Sequence, residues 1–373
     1  MLRILIPALI AALLLQSCSK KVISGQDSLI IYPSPPDTAR IQFLTKISSS
    51  HDVTGDRNPF SRFILGEDED IALNKPYGVA VSGDKIFICD TFIHGLDVID
   101  MKDNSFEQFI PTGKGELKQP INCTVDSLGN VYIADSERKQ VVIFDDEGNY
   151  TGSFGDPESF KPVDVAVKFG KIWVTNLAQH QIMVFSCDSS HELLSVWPEF
   201  DKSNPSSLFS PTNLHISDNK VYVTDFGDFK IKEYTLDGEF ITSLGTYGQN
   251  PGQFVRPKGL VADKDENLYV VDAGFENVQI FNPDGKLLMF FGGSYKGPGD
   301  MWLPAKVTID YNHTSYFEKY VDPSYHLKYV ILVSNQFGPD KINIYGAIEP
   351  ARPGQKAGLR NLEKKGKRKP PMF

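Results

Sequence analysis

The chain has little cysteine, no long apolar run and no excess of positive charge. Its four cysteines, Cys18, Cys89, Cys123 and Cys187, form no CxxC, CxxCH or zinc-type spacing. Covalent haem and cysteine-rich metal sites are thereby excluded. The longest apolar run, Ile4 to Leu15 with Pro7 inside it, is shorter than the roughly 20 residues a membrane-spanning helix needs. There is no GxSxG, P-loop or EF-hand. Asp263-x-Asp265-x-Asn267 opens like a calcium loop, but it lacks the glycine and the closing glutamate such a loop requires and reads as a hairpin turn. The net charge of −9 is unevenly placed: residues 351–373 carry eight Lys or Arg against Glu363, which leaves residues 18–350 at −17. So acidic a body repels phosphates, and nucleic acid is excluded as its partner.

What is present begins with a leader. Met1-Leu2-Arg3 supplies a positive charge and Ile4–Leu15 has the length of a signal-peptide core. The run ends in Leu15-Gln16-Ser17-Cys18, which resembles the bacterial lipobox. That resemblance implies cleavage before Cys18, lipid on its sulfur and an acylated amino terminus, an anchor made stable by more than one acyl chain. Ser19 implies sorting to the outer membrane of a bacterial envelope, facing the periplasm. The expected segments are a signal peptide at 1–17, a lipidated tether at 18–39 with Pro33, Pro35 and Pro36, a folded body at 40–349 and a basic disordered tail at 350–373.

Self-similarity dominates the body. A short strand ending in an acid or amide recurs six times, closing on Asp90, Asp135, Asn176, Asp225, Asp272 and Asn335. Three residues before those ends stand Phe87, Tyr132, Trp173, Tyr222, Tyr269 and Leu332. A strand led by proline precedes each, at Pro76, Pro120, Pro162, Pro211, Pro257 and Pro304, spaced 44, 42, 49, 46 and 47 residues apart. A third strand ends in an aromatic (Phe144, Phe185, Tyr234, Phe281, Tyr345), and Asp237-Gly238 and Asp284-Gly285 supply hairpin turns to a fourth. Four antiparallel strands per period of 40–50 residues specify an all-β, six-bladed β-propeller. The sixth copy stops after its third strand, while Arg40–Ile47 is an orphan strand before the first. The N-terminal strand is therefore expected to complete the last blade, since two open sheet edges would otherwise remain.

Over residues 76–346 these copies resemble NHL repeats, whose pattern runs Pro-x-Gly, strand, aromatic strand, Asp, strand, Asp-Gly and Phe-Gly. One departure matters. NHL repeats often carry Arg five residues after the Asp, where this chain has Gly95, Gln140, Gln181, Lys230, Asn277 and, with one insertion, Lys341. By family habit the second-to-third strand loops and the blade-to-blade links form the ligand face.

Candidate chemistry gathers at that mouth. Two residues past each proline stand Gly78, Asn122, Asp164, Asn213, Gly259 and Lys306. Asn122, Asp164 and Asn213 come from successive blades, and such oxygen ligands suit Ca²⁺, Mg²⁺ or a polar ligand; they loosely resemble the metal ring of gluconolactonase-type propellers. Their alternative role is to satisfy backbone ends or hold channel water. His94 and His180 occupy equivalent loops and resemble the zinc-holding histidines of propeller lyases, yet Lys139, Phe229 and Glu276 fill the matching positions. Phe92, Phe229 and Phe275 are candidate partner-binding aromatics. The sixth copy carries an insertion around residues 311–326, rich in tyrosine, expected on the face opposite the mouth as a docking loop or a hydrophobic plug. The expected function is recognition of a protein, peptide or glycan by a monomeric, membrane-tethered propeller with no obligatory cofactor. The alternative is a lactonase-like hydrolase or lyase using Asn122, Asp164 and Asn213, with His94 or His180 as base.

Overall fold

The computed structural model describes residues 29–55 and 69–351. The leader, Cys18 and most of the expected tether and tail lie outside the described residues. No helix among the described residues is long and apolar enough to cross a membrane.

Among the described residues, twenty-five strands form six antiparallel sheets, one per blade. Blade 1 runs Pro76–Ser82, Lys85–Asp90, Gly95–Asp100 and Ser105–Phe109, and blades 2 to 5 repeat this order starting at Pro120, Pro162, Pro211 and Pro257. Proline opens every inner strand, where its missing N–H costs no ladder bond.

The core lies between blades. On each second strand, alternate side chains serve opposite neighbours. Trp173 packs toward blade 4 while Ile172 and Val174 pack toward blade 2. Tyr222 likewise faces blade 5 while Val221 and Val223 face blade 3. Burial on both faces explains why these strands read as continuous apolar runs closed by one polar residue. An aromatic ring buried there removes roughly 150–250 Å² from water, worth about 4–6 kcal/mol before conformational entropy.

The strand-ending acids staple the ring. Asp90 accepts backbone N–H bonds from Asn74, Lys75 and Phe92 at 2.7–2.9 Å, and Asp135 accepts from Lys118, Gln119 and Arg138. Asp272 does the same for Val255, Arg256 and Gly274. The repeat's most regular polar residue therefore ties each incoming link to the second strand of its blade.

Closure follows the expected route. Ile41–Ile47 pairs antiparallel with Ile342–Pro350 and fills the fourth-strand place of blade 6, burying Ile41, Leu44 and Ile47. The segment read as tether contributes one more piece: Ile31–Tyr32 adds a short fifth strand, and Tyr32 Oη donates to Gly299 O at 3.0 Å. The tyrosine-rich insertion straps the seam between blades 6 and 1. Phe317 is buried in the cluster those blades share, Tyr316 Oη donates to Asn104 Oδ1 at 3.1 Å, and His313 lies 2.7 Å from Asp310 and 3.3 Å from Asp84. Phe317 is thus part of the packing between two blades rather than a plug under the ring.

Candidate active site: the propeller mouth

A bulge sets the mouth. Pro162 pairs with Asn176 and Asp164 with Thr175, so two residues of the inner strand oppose one of its partner, and the same shift recurs at Pro120 and Pro211. Asn122, Asp164 and Asn213 are all buried at this position. Two neighbours must be glycine: a Cβ on Gly78 would sit 2.6 Å from Asn122 Cα, and one on Gly259 2.6 Å from Lys306 Cα.

Two of these side chains meet directly, while Asn122 reaches the backbone just before Asp164. Asn122 Nδ2 donates to Val163 O at 2.8 Å, and Asn213 Nδ2 donates to Asp164 Oδ2 at 3.2 Å. Val165 N donates to Asp164 Oδ1 and Leu214 N to Asp164 Oδ2, both at 3.0 Å. Lys306, from blade 6, reaches across the channel from the opposite side of the ring and places Nζ 2.7 Å from Asp164 Oδ2. An ion pair therefore bars the mouth. Asn122 Oδ1 and Asn213 Oδ1 stay buried without a hydrogen-bond partner.

With Lys306 in place, this donor set does not fit a divalent cation. Asp164 is its only carboxylate, and the Lys306 ammonium already neutralises it, so a metal there would face a like charge at close range. Among the described residues no cluster of three His, Cys, Asp or Glu has the geometry to hold a metal.

Two residues absent from the expected set stand beside the pair. Lys258 Nζ donates to Tyr77 Oη at 3.0 Å and lies 4.7 Å from its ring centroid. Burial, then the Arg256 charge, pushes the Lys258 ammonium down to about 8. Burial, then the Asp164 charge, pushes the Tyr77 phenol up to about 12. Both follow an inner-strand proline directly, a position the repeat marks but does not hold constant. Thr175, Thr224 and Ser334, next to the last residue of their strands, carry the layer around the mouth: Thr175 Oγ1 accepts from Asp164 N, Thr224 Oγ1 donates to Lys258 O, and Ser334 Oγ donates to Tyr77 O.

The two candidate histidines do not join this group. His94, Lys139, His180, Phe229 and Glu276 all adopt positive φ, between 55° and 58°, at the same hairpin turn of successive blades. Each leans outward on a link between blades. His94 Nδ1 contacts Lys118 O, Lys139 Nζ donates to Pro157 O, His180 packs at a tilt against Phe200 with centroids 5.2 Å apart, and Glu276 Oε1 accepts from Leu303 N. Phe229 packs on Tyr247 at 4.8 Å. Of the candidate aromatics, Phe92 is 67% exposed, whereas Phe229 and Phe275 are half-buried. Sequence reasoning passed over Trp302 and Tyr247, which are exposed on the links, and Phe337 is exposed beside Trp302. Trp302 stacks on Tyr295 and Lys75 Nζ lies 5.7 Å from the Phe337 ring.

Solved structures carry the same ring. A catalytically inactive virginiamycin B lyase from Staphylococcus aureus with quinupristin is 17% identical, with 74% of this chain and 95% of that one covered and a TM-score of 0.51. A gluconolactonase from Xanthomonas campestris is 12% identical over 85% of this chain and 91% of that one, TM-score 0.53. A structural-genomics protein of unknown function from Bacteroides thetaiotaomicron is 17% identical over 83% and 76%, TM-score 0.56. No protein-family model matches the chain, and no curated protein does. What the neighbours share with this chain is the propeller; function is carried by each molecule's own site.

Proposed function

We propose that the chain is a bacterial envelope lipoprotein, anchored through Cys18 and facing the periplasm, whose NHL-type propeller recognises a protein, peptide or glycan partner across its mouth face. The observation that carries this reading is a mouth barred by the Asp164–Lys306 pair and rimmed by exposed Phe92, Trp302 and Phe337. Exposed aromatics on a rigid frame supply large contact area at small entropic cost, and they dominate binding energy at interfaces.

One observation favours a second reading, a metal-assisted hydrolase or lyase. The unpartnered oxygens of Asn122 and Asn213 flank Asp164, and a cation entering there would have to displace Lys306. Thermal-shift titration with Ca²⁺, Mg²⁺, Mn²⁺ and Zn²⁺ separates the two. The platform reading expects no stabilisation that depends on Asp164. A rise of several degrees that vanishes in Asp164→Asn overturns it in favour of metal chemistry.

A further inference from the structure

An inter-blade groove on the other side of the ring carries a separate site. Between blades 1 and 2 the outer strands part over a volume of about 490 Å³. Its floor is apolar, made by the half-buried Phe87, Val98, Phe109 and Val125. Its rim carries seven carboxylates, Asp103, Glu107, Asp146 and Glu147 among them, against two ammonium groups, Lys85 and Lys102. Most of the rim lies on first-to-second and third-to-fourth strand turns, hence on the face away from the mouth. A greasy trough edged by unbalanced negative charge fits a cationic segment with a few apolar side chains.

The chain contains such a segment. Residues 356–369 hold seven Lys or Arg against Glu363, with Leu359 and Leu362 three apart. The described chain leaves the ring at Ala351, whose N–H donates to Ser324 O. From Ser324 the strap leads back to His313, which touches Asp84 on the rim of the groove. That path is eleven residues, at most about 40 Å. Ala351 to Lys369 is eighteen residues, about 60 Å when extended, so the basic cluster spans that path and the contacts at its two ends. We propose that the groove between blades 1 and 2 is a docking site for cationic peptide and that its occupant is the chain's own segment 356–369. Being tethered, the segment faces the groove at an effective concentration in the millimolar range.

Carbodiimide cross-linking of the full chain, read by mass spectrometry, tests this. At low salt, amide bonds are expected from Lys364, Lys365, Lys367 or Lys369 to Asp103, Glu107, Asp146 or Glu147, with a yield independent of protein concentration and lost in 0.5 M salt. The rim variant D103N/E107Q/D146N/E147Q, altered only at exposed turn and edge positions, serves as the second readout. Trypsin is expected to cut between Lys364 and Lys369 at least several-fold faster in this variant than in the parent at low salt, and at equal rates in 0.5 M salt. Equal cleavage of both proteins at low salt overturns the proposal. So do cross-links spread evenly over acidic turns of other blades, or formed only between molecules.

Discussion

Removing the Asp164 carboxylate is the most severe perturbation of the mouth. Asp164 is 1% exposed and the Lys306 side chain 12%, so Asp164→Ala leaves a desolvated ammonium and strips Asn213 Nδ2 and Leu214 N of their acceptor. Taking one member from a buried pair costs about 3–5 kcal/mol. Ile41 to Pro350 is 310 residues, and an unfolding entropy of roughly 2.1 cal/mol/K per residue gives about 0.65 kcal/mol/K for the ring. The melting temperature should therefore fall by about 5–8 °C, read by scanning calorimetry. Asp164→Ala with Lys306→Met should recover most of that loss, because replacing both partners by apolar groups is nearly neutral. A single variant within about 1 °C of the parent, or a double variant no better than the single, refutes a stabilising pair across the channel.

Three further outcomes are expected. Burial pushes the Asp97 carboxyl up to about 7, against the Gln108 bond that holds it down. The native state then binds more protons than the unfolded chain between about pH 4 and pH 7, so stability falls as pH rises through that window, by up to about 1.4 kcal/mol per unit. Asp97→Asn should gain stability over the parent progressively from pH 5 to pH 8 in urea unfolding, and a pH-independent difference contradicts this. Lys232 is fully buried with Nζ 3.0 Å from both Asp225 and Asp228; Lys232→Met should cost about 3–5 kcal/mol, and a melting temperature unchanged in that variant dismisses the cluster as a stabilising feature. Deleting residues 41–47 should abolish the cooperative transition, because it bares the Ile342–Pro350 edge and the apolar surface under Ile41, Leu44 and Ile47; a parental melting curve contradicts closure by that strand.

The ring was legible because its signals are local and recur. Proline at the inner-strand start and a polar end on an apolar second strand each have a short-range cause, and six copies reinforce them. The ends themselves were legible as positions but not as staples, since the N–H groups that Asp90 or Asp272 accept come from links of variable sequence. Asn122, Asp164 and Asn213 could be placed together because consecutive blades put equivalent residues side by side. Lys306 belonged to the same list, yet its pairing with Asp164 depends on the ring bringing blades 3 and 6 face to face, and no periodicity encodes that distance. His94 and His180 looked like ligands by their shared register. Their register reflects a turn that needs positive φ, which also accepts Lys139, Phe229 and Glu276. Ile31–Tyr32, only two residues long, is too short to carry a strand pattern among prolines.

The central claim, recognition through the mouth face, is tested most directly by site-specific photo-cross-linking in intact envelopes. Benzoyl-phenylalanine would replace Trp302 or Phe337 on the rim, or Leu128 or Phe169, which are exposed on turns of the opposite face. Discrete adducts from the rim positions alone, lost when Phe92 and the remaining rim aromatic become alanine, are the expected result. Adducts from the opposite face alone, or equal labelling from both faces, would contradict the account.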